Sequence, residues 1–334
     1  MKNINFYFIP SAHIGYKERS MLKILYALLF VRSQSSTKSE IVRFMTALSN
    51  EDPNLNFRLK LPQYFCSLVH KLVIKCQLPK YVRIFFAHLD CQVYRENIFC
   101  VMPMFYADTF TISNKGWGTQ RSRTNIVVPE GSDKTERLVM HHLLNRHTKF
   151  PVKGRKSRKL EQNTILVALQ LPWDQTITER SQTSWLKFLD IIYNLSVKNV
   201  SEQFRLRIHP LHSLSDQYLT SVRRLLELPN VALSENELFD ELEHAKVVVL
   251  INSGVGFESL MFGRPVISFG DSIYKEFTYT GKIEMNYEIG LTEMVEAARE
   301  GLIKFEENKT EFIRKNLYCV SDADKFWINK QESC

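Results

Sequence analysis

The stretch LINSGVGFESLMFGRPVISFGDSIY, Leu250 to Tyr274, carries Gly254, Gly256, Gly263 and Gly270, four of only 12 glycines in 334 residues. Apolar runs flank its centre, VVVLI on one side and PVISF on the other, without polar alternation. That is the pattern of parallel strands buried on both faces, and the segment between them reads as a short helix. Asn252 and Ser253 stand where strand gives way to helix, and both are good N-cap residues. A helix start offers unpaired backbone N–H groups and the positive end of the helix dipole, so it can hold an anion, usually a phosphate. Gly256 and Gly263 have a second reading, close helix–sheet packing and helix termination.

Working outward, the same alternation runs through the second half. Strand-like segments are TILVALQ (164–170), QFRLRIHP (203–210), NVAL (230–233), KVVVLI (246–251) and PVISF (265–269). Between them lie the helical patterns SWLKFLDIIYNLS, SDQYLTSVRRLLEL, ENELFDELEHA and GVGFESLMFG. Ser234 and Glu237 have the spacing of a capping box for the third of these. Strands alternating with helices at this spacing predict a parallel, doubly wound sheet. The first half alternates less regularly, through INFYFI, a helix from about Tyr16 to Val31, IVRFMTALS, YFCSLVHKLVIKC, YVRIFFAHL, NIFCVMPMFY and NIVVPEG. It reads as a second α/β domain, so the fold class is α/β with two Rossmann-like domains. The boundaries fall at 1–155 and 160–305, and fold analogy alone suggests a C-terminal helical segment, 306–334, that crosses back to the first domain.

Composition sets further limits. At 44% hydrophobic and 24% charged residues the chain is ordinary globular material. The six cysteines show no CxxC pair and no metal-finger spacing, which fits reduced thiols in the cytoplasm. The longest apolar run, MLKILYALLFV (21–31), is interrupted by Lys23 and too short to span a bilayer, and it follows a strand-like segment, which speaks against a signal peptide. Charge is divided unevenly. Residues 1–160 hold 26 Lys and Arg against 10 Asp and Glu, net +16, while residues 161–334 hold 18 against 26, net −8. Such asymmetry predicts that the first half meets an anionic membrane surface or a polyanion. The densest cluster, HTKFPVKGRKSRK (147–159), lacks aromatic interleaving and any nucleic-acid-binding motif, so no nucleic-acid partner is expected.

Ligands of doubly wound sheets bind outside the carboxyl ends of the strands. Four such ends carry polar or reactive residues: QLPWDQTI with Gln170, Asp174 and Thr176; RIHP with Arg207, His209 and Pro210; NSGVGFE with Asn252, Ser253, Val255 and Glu258; and GDSIY with Asp271, Ser272 and Tyr274. From the first half, NIVVPEGS delivers Glu130 at the end of an apolar strand. Each alone has a bland reading, turn residue or helix cap. Together, a carboxylate, a histidine and a helix start on one rim can bind a phosphate and manage a proton.

These residues, in this order and spacing, resemble the bacterial capsule polysaccharide synthesis family over roughly residues 160–280. Its specific part is the Asn-Ser-x-x-Gly-x-Glu segment followed by Gly-x-Pro-Val. The resemblance implies a GT-B-like enzyme, its two domains facing across a cleft, that transfers Kdo from CMP-Kdo with retention onto lipid-linked acceptors. By it, Asp174 would be the nucleophile, Glu130 the acid/base and His209 the group that stabilises the leaving phosphate. Ser253, Gly254 and Val255 would hold that phosphate and Glu258 the ribose. Gln170, Arg207, Pro210, Asn252, Gly256 and Tyr274 would complete the nucleotide site. Arg207 stands where the family commonly has Lys, and Pro129 replaces the first acid of an acidic-acidic-glycine motif. The His-Pro pair is shared with bacterial sialyltransferases, so an inverting enzyme using CMP-sialic acid is the nearest alternative. A non-catalytic glycan-assembly or export partner is the alternative from another class. No cofactor and no metal are expected, since CMP-sugars carry the leaving phosphate without an obligatory metal. The expected partners are a CMP-sugar donor, an anionic or lipid-linked glycan acceptor, and the inner membrane as a peripheral surface.

Overall fold

The computed structural model describes residues 4–10, 56–61, 82–87, 98–103, 109–113, 130–148, 162–172, 174–178, 181–209, 216–280 and 290–322. The chain divides into two compact units. The first comprises Met1–Trp117, Arg121–Val139 and Phe312–Cys334, and the second Gly118–Gln120 and Met140–Glu311. The expected helix from Tyr16 to Val31, the segments IVRFMTALS, YFCSLVHKLVIKC and NIVVP, and the basic cluster from Lys149 to Lys159 lie outside the described residues.

The first unit holds a five-stranded sheet of β1 (Ile4–Pro10), β2 (Asn56–Leu61), β3 (Val82–Ala87), β4 (Ile98–Pro103) and β5 (Phe110–Ser113), in the order β2-β1-β3-β4-β5. The first four strands pair in parallel and β5 is an antiparallel edge on β4. Sequence patterning found β1, β3 and β4 and passed over two strands. β2 alternates charged and apolar residues, and β5 has only four residues. Tyr318 extends the β5 edge by exchanging both backbone bonds with Phe110, at 2.8 and 2.9 Å. Asp322 then ties this C-terminal segment down: Oδ1 accepts from Ser132 N–H at 3.0 Å, and Oδ2 from Cys319 N–H at 2.9 Å and from the Thr135 hydroxyl. The helix so anchored is α1 (Asp133–Leu144).

The second unit carries the sheet that decides the site. Its strands are β6 (Thr164–Ala168), β7 (Phe204–Arg207), β8 (Val231–Leu233), β9 (Ala245–Leu250), β10 (Val266–Ser268) and β11 (Tyr279–Thr280), in the order β11-β10-β9-β6-β7-β8, all parallel. Counted from β6 this is the Rossmann order 3-2-1-4-5-6, and the parallel sheet is the one that the alternation in the sequence predicts. The intervening helices are α2 (Gln175–Thr178), α3 (Trp185–Lys198), α4 (Asp216–Leu226), α5 (Leu238–His244) and α6 (Val255–Met261), and α7 (Leu291–Asn316) follows the sheet.

Every residue of β6 is buried, as is VVVL of β9, which is why these strands lack alternation. Ile165, Val167, Leu206, Val247, Val249 and Ile267 pack with Trp185, Phe188, Ile192 and Leu195 of α3, Tyr218 and Val222 of α4, and Met294 and Ala298 of α7. The intervening Leu166, Val248, Leu250 and Val266 are equally buried, on the side taken by α5 and α6. α3 forms because its apolar residues recur at helical spacing behind a true cap, the Ser184 hydroxyl accepting from Lys187 N–H at 3.2 Å. Its far end is closed by buried Asn230, whose Nδ2 lies 3.1 Å from the carbonyls of Ser196, Asn199 and Glu202. Replacing Asn230 by Ala strands these carbonyls and is expected to cost about 1–3 kcal/mol in urea unfolding. A change below about 0.3 kcal/mol would show that water closes this end equally well.

The expected capping box is not what starts α5. Its N-cap is Glu237, with no side-chain bond, and Ser234 instead donates its hydroxyl to Glu241 Oε1 at 2.7 Å. The reason is tertiary: Asn236 also donates to Glu241, at 3.4 Å, and the Asn236 carbonyl accepts from Arg207 at 2.8 Å. The turn closes over a buried strand end instead of winding straight into helix.

Candidate functional site

The Rossmann order places a topological switch point between β6 and β9, where successive connections leave in opposite directions and a crevice opens. Two segments meet there, one after β6 that carries Gln170 and Asp174, and Ile251 to Gly254 after β9. Gln170 and Asn252 join them. Gln170 Nε2 donates to Asn252 Oδ1 at 2.9 Å, and Asn252 N–H donates to Gln170 Oε1 at 2.9 Å. Asn252 Nδ2 further donates to the Thr176 carbonyl at 2.8 Å. Gln170, 5% exposed, spends both its amide oxygen and its amide nitrogen on this clamp. Fold-level pairing of neighbouring strands, which brings residues 82 positions apart together, creates this bond.

Asp174 caps α2. Its Oδ1 accepts from Thr176 N–H and from the Thr176 hydroxyl, both at 2.8 Å, and its backbone carbonyl accepts from Ile177 and Thr178. The bland reading of this residue as a helix cap is therefore true of one oxygen. Oδ2 takes no part in the cap, so the half-buried carboxylate is held by one oxygen and offers the other. Continuous bonds run from Asp174 through Thr176 and Asn252 to Gln170, and this chain sets the carboxylate relative to the start of α6.

That start is built differently from the expected phosphate cradle. The Ser253 hydroxyl accepts from Val255 N–H at 3.3 Å, and the Ser253 carbonyl accepts from Gly256 N–H at 3.0 Å. The N–H groups of Val255 and Gly256 are thus already engaged, and Gly254 N–H takes part in neither bond. Gly254 is exposed, in helical conformation at φ −55° and ψ −26°. Of the other three glycines, two have packing causes and one a backbone cause. A Cβ on Gly256 would stand 2.5 Å from the Tyr274 hydroxyl oxygen, and one on Gly270 would stand 2.8 Å from Ile251 Cγ2. Gly263, at φ +74°, ends α6 in a Schellman turn, with Arg264 N–H reaching the Ser259 carbonyl at 2.8 Å.

Tyr274 changes role for the same reason. It is 1% exposed and donates its hydroxyl to the Ser253 carbonyl, and burial holds its hydroxyl protonated far above the usual tyrosine range. It is the lock that presses the Ser253 loop onto α6, not a surface offered to a nucleotide. Arg207 is also buried, 6% exposed, with its guanidinium on the Asn236 carbonyl. Its fork stabilises the β7–α5 corner, and Asn236 and Glu241, which complete that corner, carry no local signal in the sequence. Glu258 is buried within the first turn of α6. His209 stands half-buried just beyond β7, and Pro210 lies outside the described residues. Glu130 is exposed immediately before α1 and belongs to the first unit. Its neighbour Gly131 is required there, because a Cβ would stand 2.3 Å from the Leu317 carbonyl oxygen.

The switch-point loops and the helices around them fall inside a match, over residues 133–286, to the family described as capsule polysaccharide biosynthesis protein. Over that span, slightly under half of its length, the chain is similar to the capsule polysaccharide biosynthesis family. Among curated proteins, Protein FixF of Sinorhizobium fredii is 34% identical over 115 residues, 33% of this chain and 27% of that protein. Capsule polysaccharide export protein KpsS of Escherichia coli is 28% identical over 148 residues, 41% of this chain and 38% of that protein. The chain thus spans well under half the length of either relative. Among solved structures, Thermosulfurimonas dismutans KpsC, beta Kdo 2,7 transferase, aligns over 89% of this chain and 90% of its own at 16% identity, with a TM-score of 0.44. No helix among the described residues is long and apolar enough to cross a membrane.

Proposed function

We propose that the chain is a glycosyltransferase that moves a Kdo-type sugar from a CMP-activated donor to a capsule or lipopolysaccharide acceptor. The observation that carries this reading is Asp174, a carboxylate fixed through Oδ1 with Oδ2 outside its cap, on a loop clamped to the start of α6 at the switch point. Oδ2 attacks the anomeric carbon, the bond to the phosphate oxygen breaks, and its electron pair leaves with CMP. His209 and the Gly254 end of α6 offset the charge that develops on the leaving phosphate. The acceptor hydroxyl gives up its proton to a general base, the role the resemblance assigns to Glu130, attacks the same carbon from the opposite face and releases Asp174, so two inversions give retention. Gln170 and Asn252 hold the Asp174 loop, and Tyr274 holds the Ser253 loop.

The test is intact-protein mass spectrometry after incubation with CMP-Kdo generated in situ. Wild type should gain the mass of one Kdo and release CMP. CMP release without an adduct favours the inverting, CMP-sialic-acid type of reaction, in which Glu130 is the base. The curated relative that is named an export protein favours a second reading, a non-catalytic partner in glycan export. CMP binding with no turnover on any acceptor supports that reading and removes the first.

A net charge of +16 on residues 1–160 supports peripheral association with an anionic membrane surface, where lipid-linked acceptors are presented. Vesicles containing phosphatidylserine should bind the full chain at about 0.1 M salt and release it near 1 M, as the Debye length falls from about 10 Å to about 3 Å. Binding indifferent to salt would remove the electrostatic account.

A further inference from the structure

Away from the switch point, the segment HHLLNRH places three of the chain's nine histidines, His141, His142 and His147, within seven residues. A helix alone would leave His147 pointing onward along the axis, beyond the reach of the other two. The chain turns back instead. Arg146 adopts φ 52°, the left-handed conformation usually left to glycine, and closes a Schellman turn. In that turn His147 N–H donates to the His142 carbonyl at 2.9 Å, and Arg146 N–H donates to the Leu143 carbonyl at 3.1 Å. The unfavourable turn is held from outside, since the Arg146 guanidinium pairs with Asp240 at 3.1 Å and Glu243 at 2.8 Å, both on α5. The Arg146 contact in turn draws the Glu243 carboxyl below its usual range.

The result is a nitrogen-only cluster. One ring nitrogen from each histidine lies within 4.8 Å of the other two, and the rings meet at centroid distances of 5.4 to 5.9 Å. His142 Nδ1 and His147 Nδ1 are 3.2 Å apart. Two ligands on a tetrahedral ion at about 2.0 Å are separated by about 3.3 Å, so this edge already has ligand spacing. Binding needs only the tautomer with the proton on Nε2 of each of these two rings, together with a small approach of His141. Neutral imidazoles select zinc, copper or nickel over magnesium or calcium.

We infer that His141, His142 and His147 form a three-histidine site for a borderline transition-metal ion, with Zn²⁺ the fitting ion and the fourth position open. The site is separate from the sugar-transfer machinery and does not depend on it. It lies at the end of α1, which runs from the first unit, through Val139, into the second. A bound ion would cross-link the turn that follows this passage and make the ion pairs of Arg146 more persistent.

The test uses the full chain, stripped with chelator, titrated with ZnCl₂ by calorimetry and with CoCl₂ by visible absorption. Wild type should bind one equivalent, and cobalt should give the intense visible bands of a four-coordinate ion. His147→Gln and His141→Gln should each weaken Zn²⁺ binding at least tenfold and abolish those bands. Both positions are exposed, and circular dichroism will confirm that the variants stay folded. The absence of a saturable equivalent in wild type overturns the inference. So does binding unchanged in both variants, which would place the ion on the remaining histidines and cysteines.

Discussion

Asp174→Asn is expected to abolish the glycosyl adduct and slow CMP-sugar turnover by roughly three to five orders of magnitude, the scale for losing a catalytic nucleophile. The substitution is chosen because the structure separates the two jobs of this residue. Oδ1 caps α2 through Thr176, and an asparagine side-chain oxygen accepts the same bonds, since Asn and Asp are equally good N-caps. Stability should therefore change by less than about 0.5 kcal/mol while Oδ2 loses its nucleophilic charge. Asp174→Ala would confuse the outcome by removing the cap, at about 1 kcal/mol. Intact mass and CMP release are the readouts. Turnover that survives Asp174→Asn and is lost in Glu130→Gln would discard the double-displacement role and favour the inverting reaction. An inactive Asp174→Asn protein that also unfolds early would instead assign the residue to structure alone.

Gly256→Ala is expected to destabilise the second unit by about 2–4 kcal/mol, against the sign that helix propensity alone predicts. In an open helix, Ala is better than Gly by about 0.8–1.0 kcal/mol. Here the new Cβ would stand 2.5 Å from the hydroxyl oxygen of Tyr274 and 2.6 Å from two of its ring carbons. Tyr274 cannot retreat, being 1% exposed and bonded to the Ser253 carbonyl. Overpacking costs about 1–3 kcal/mol, and loss of a buried hydrogen bond adds about 1–2. Urea unfolding of Gly256→Ala in the wild-type and Tyr274→Ala backgrounds measures the coupling. The cost should vanish when the ring is absent. A Gly256→Ala protein as stable as wild type would show that α6 slides freely over Tyr274, and the lock assigned to that residue would be lost.

How much of this was legible beforehand depends on the range of the interaction. The strands β6, β7, β8, β9 and β10 and the helices α3 to α6 were legible because hydrophobic periodicity is a local property and burial on both faces leaves an unbroken apolar run. β2 and β5 were missed because an edge strand needs no such run. The capping box at Ser234 was misread because Glu241, four residues beyond Glu237, takes the serine hydroxyl once the β7–α5 corner closes. The residues at the strand ends were legible as a set, from the rule that ligands gather there, but not in their roles. Gln170, Arg207 and Tyr274 look like ligand contacts in sequence and are tied to Asn252, Asn236 and Ser253 in the fold.

The glycine cluster draws the same line most sharply. Sequence by itself determined that a strand, a turn and a short helix lie between Val247 and Phe262, and that a doubly wound parallel sheet surrounds them, because backbone propensity and apolar period act over a few residues. Only the tertiary structure decided why those glycines stand there. Gly256 makes room for a tyrosine 18 positions away, Gly270 for Ile251, and Gly263 supplies the positive φ that ends the helix. Excluded volume between distant segments is invisible in a local pattern, and it decided which residues support the site and which remain able to act in it.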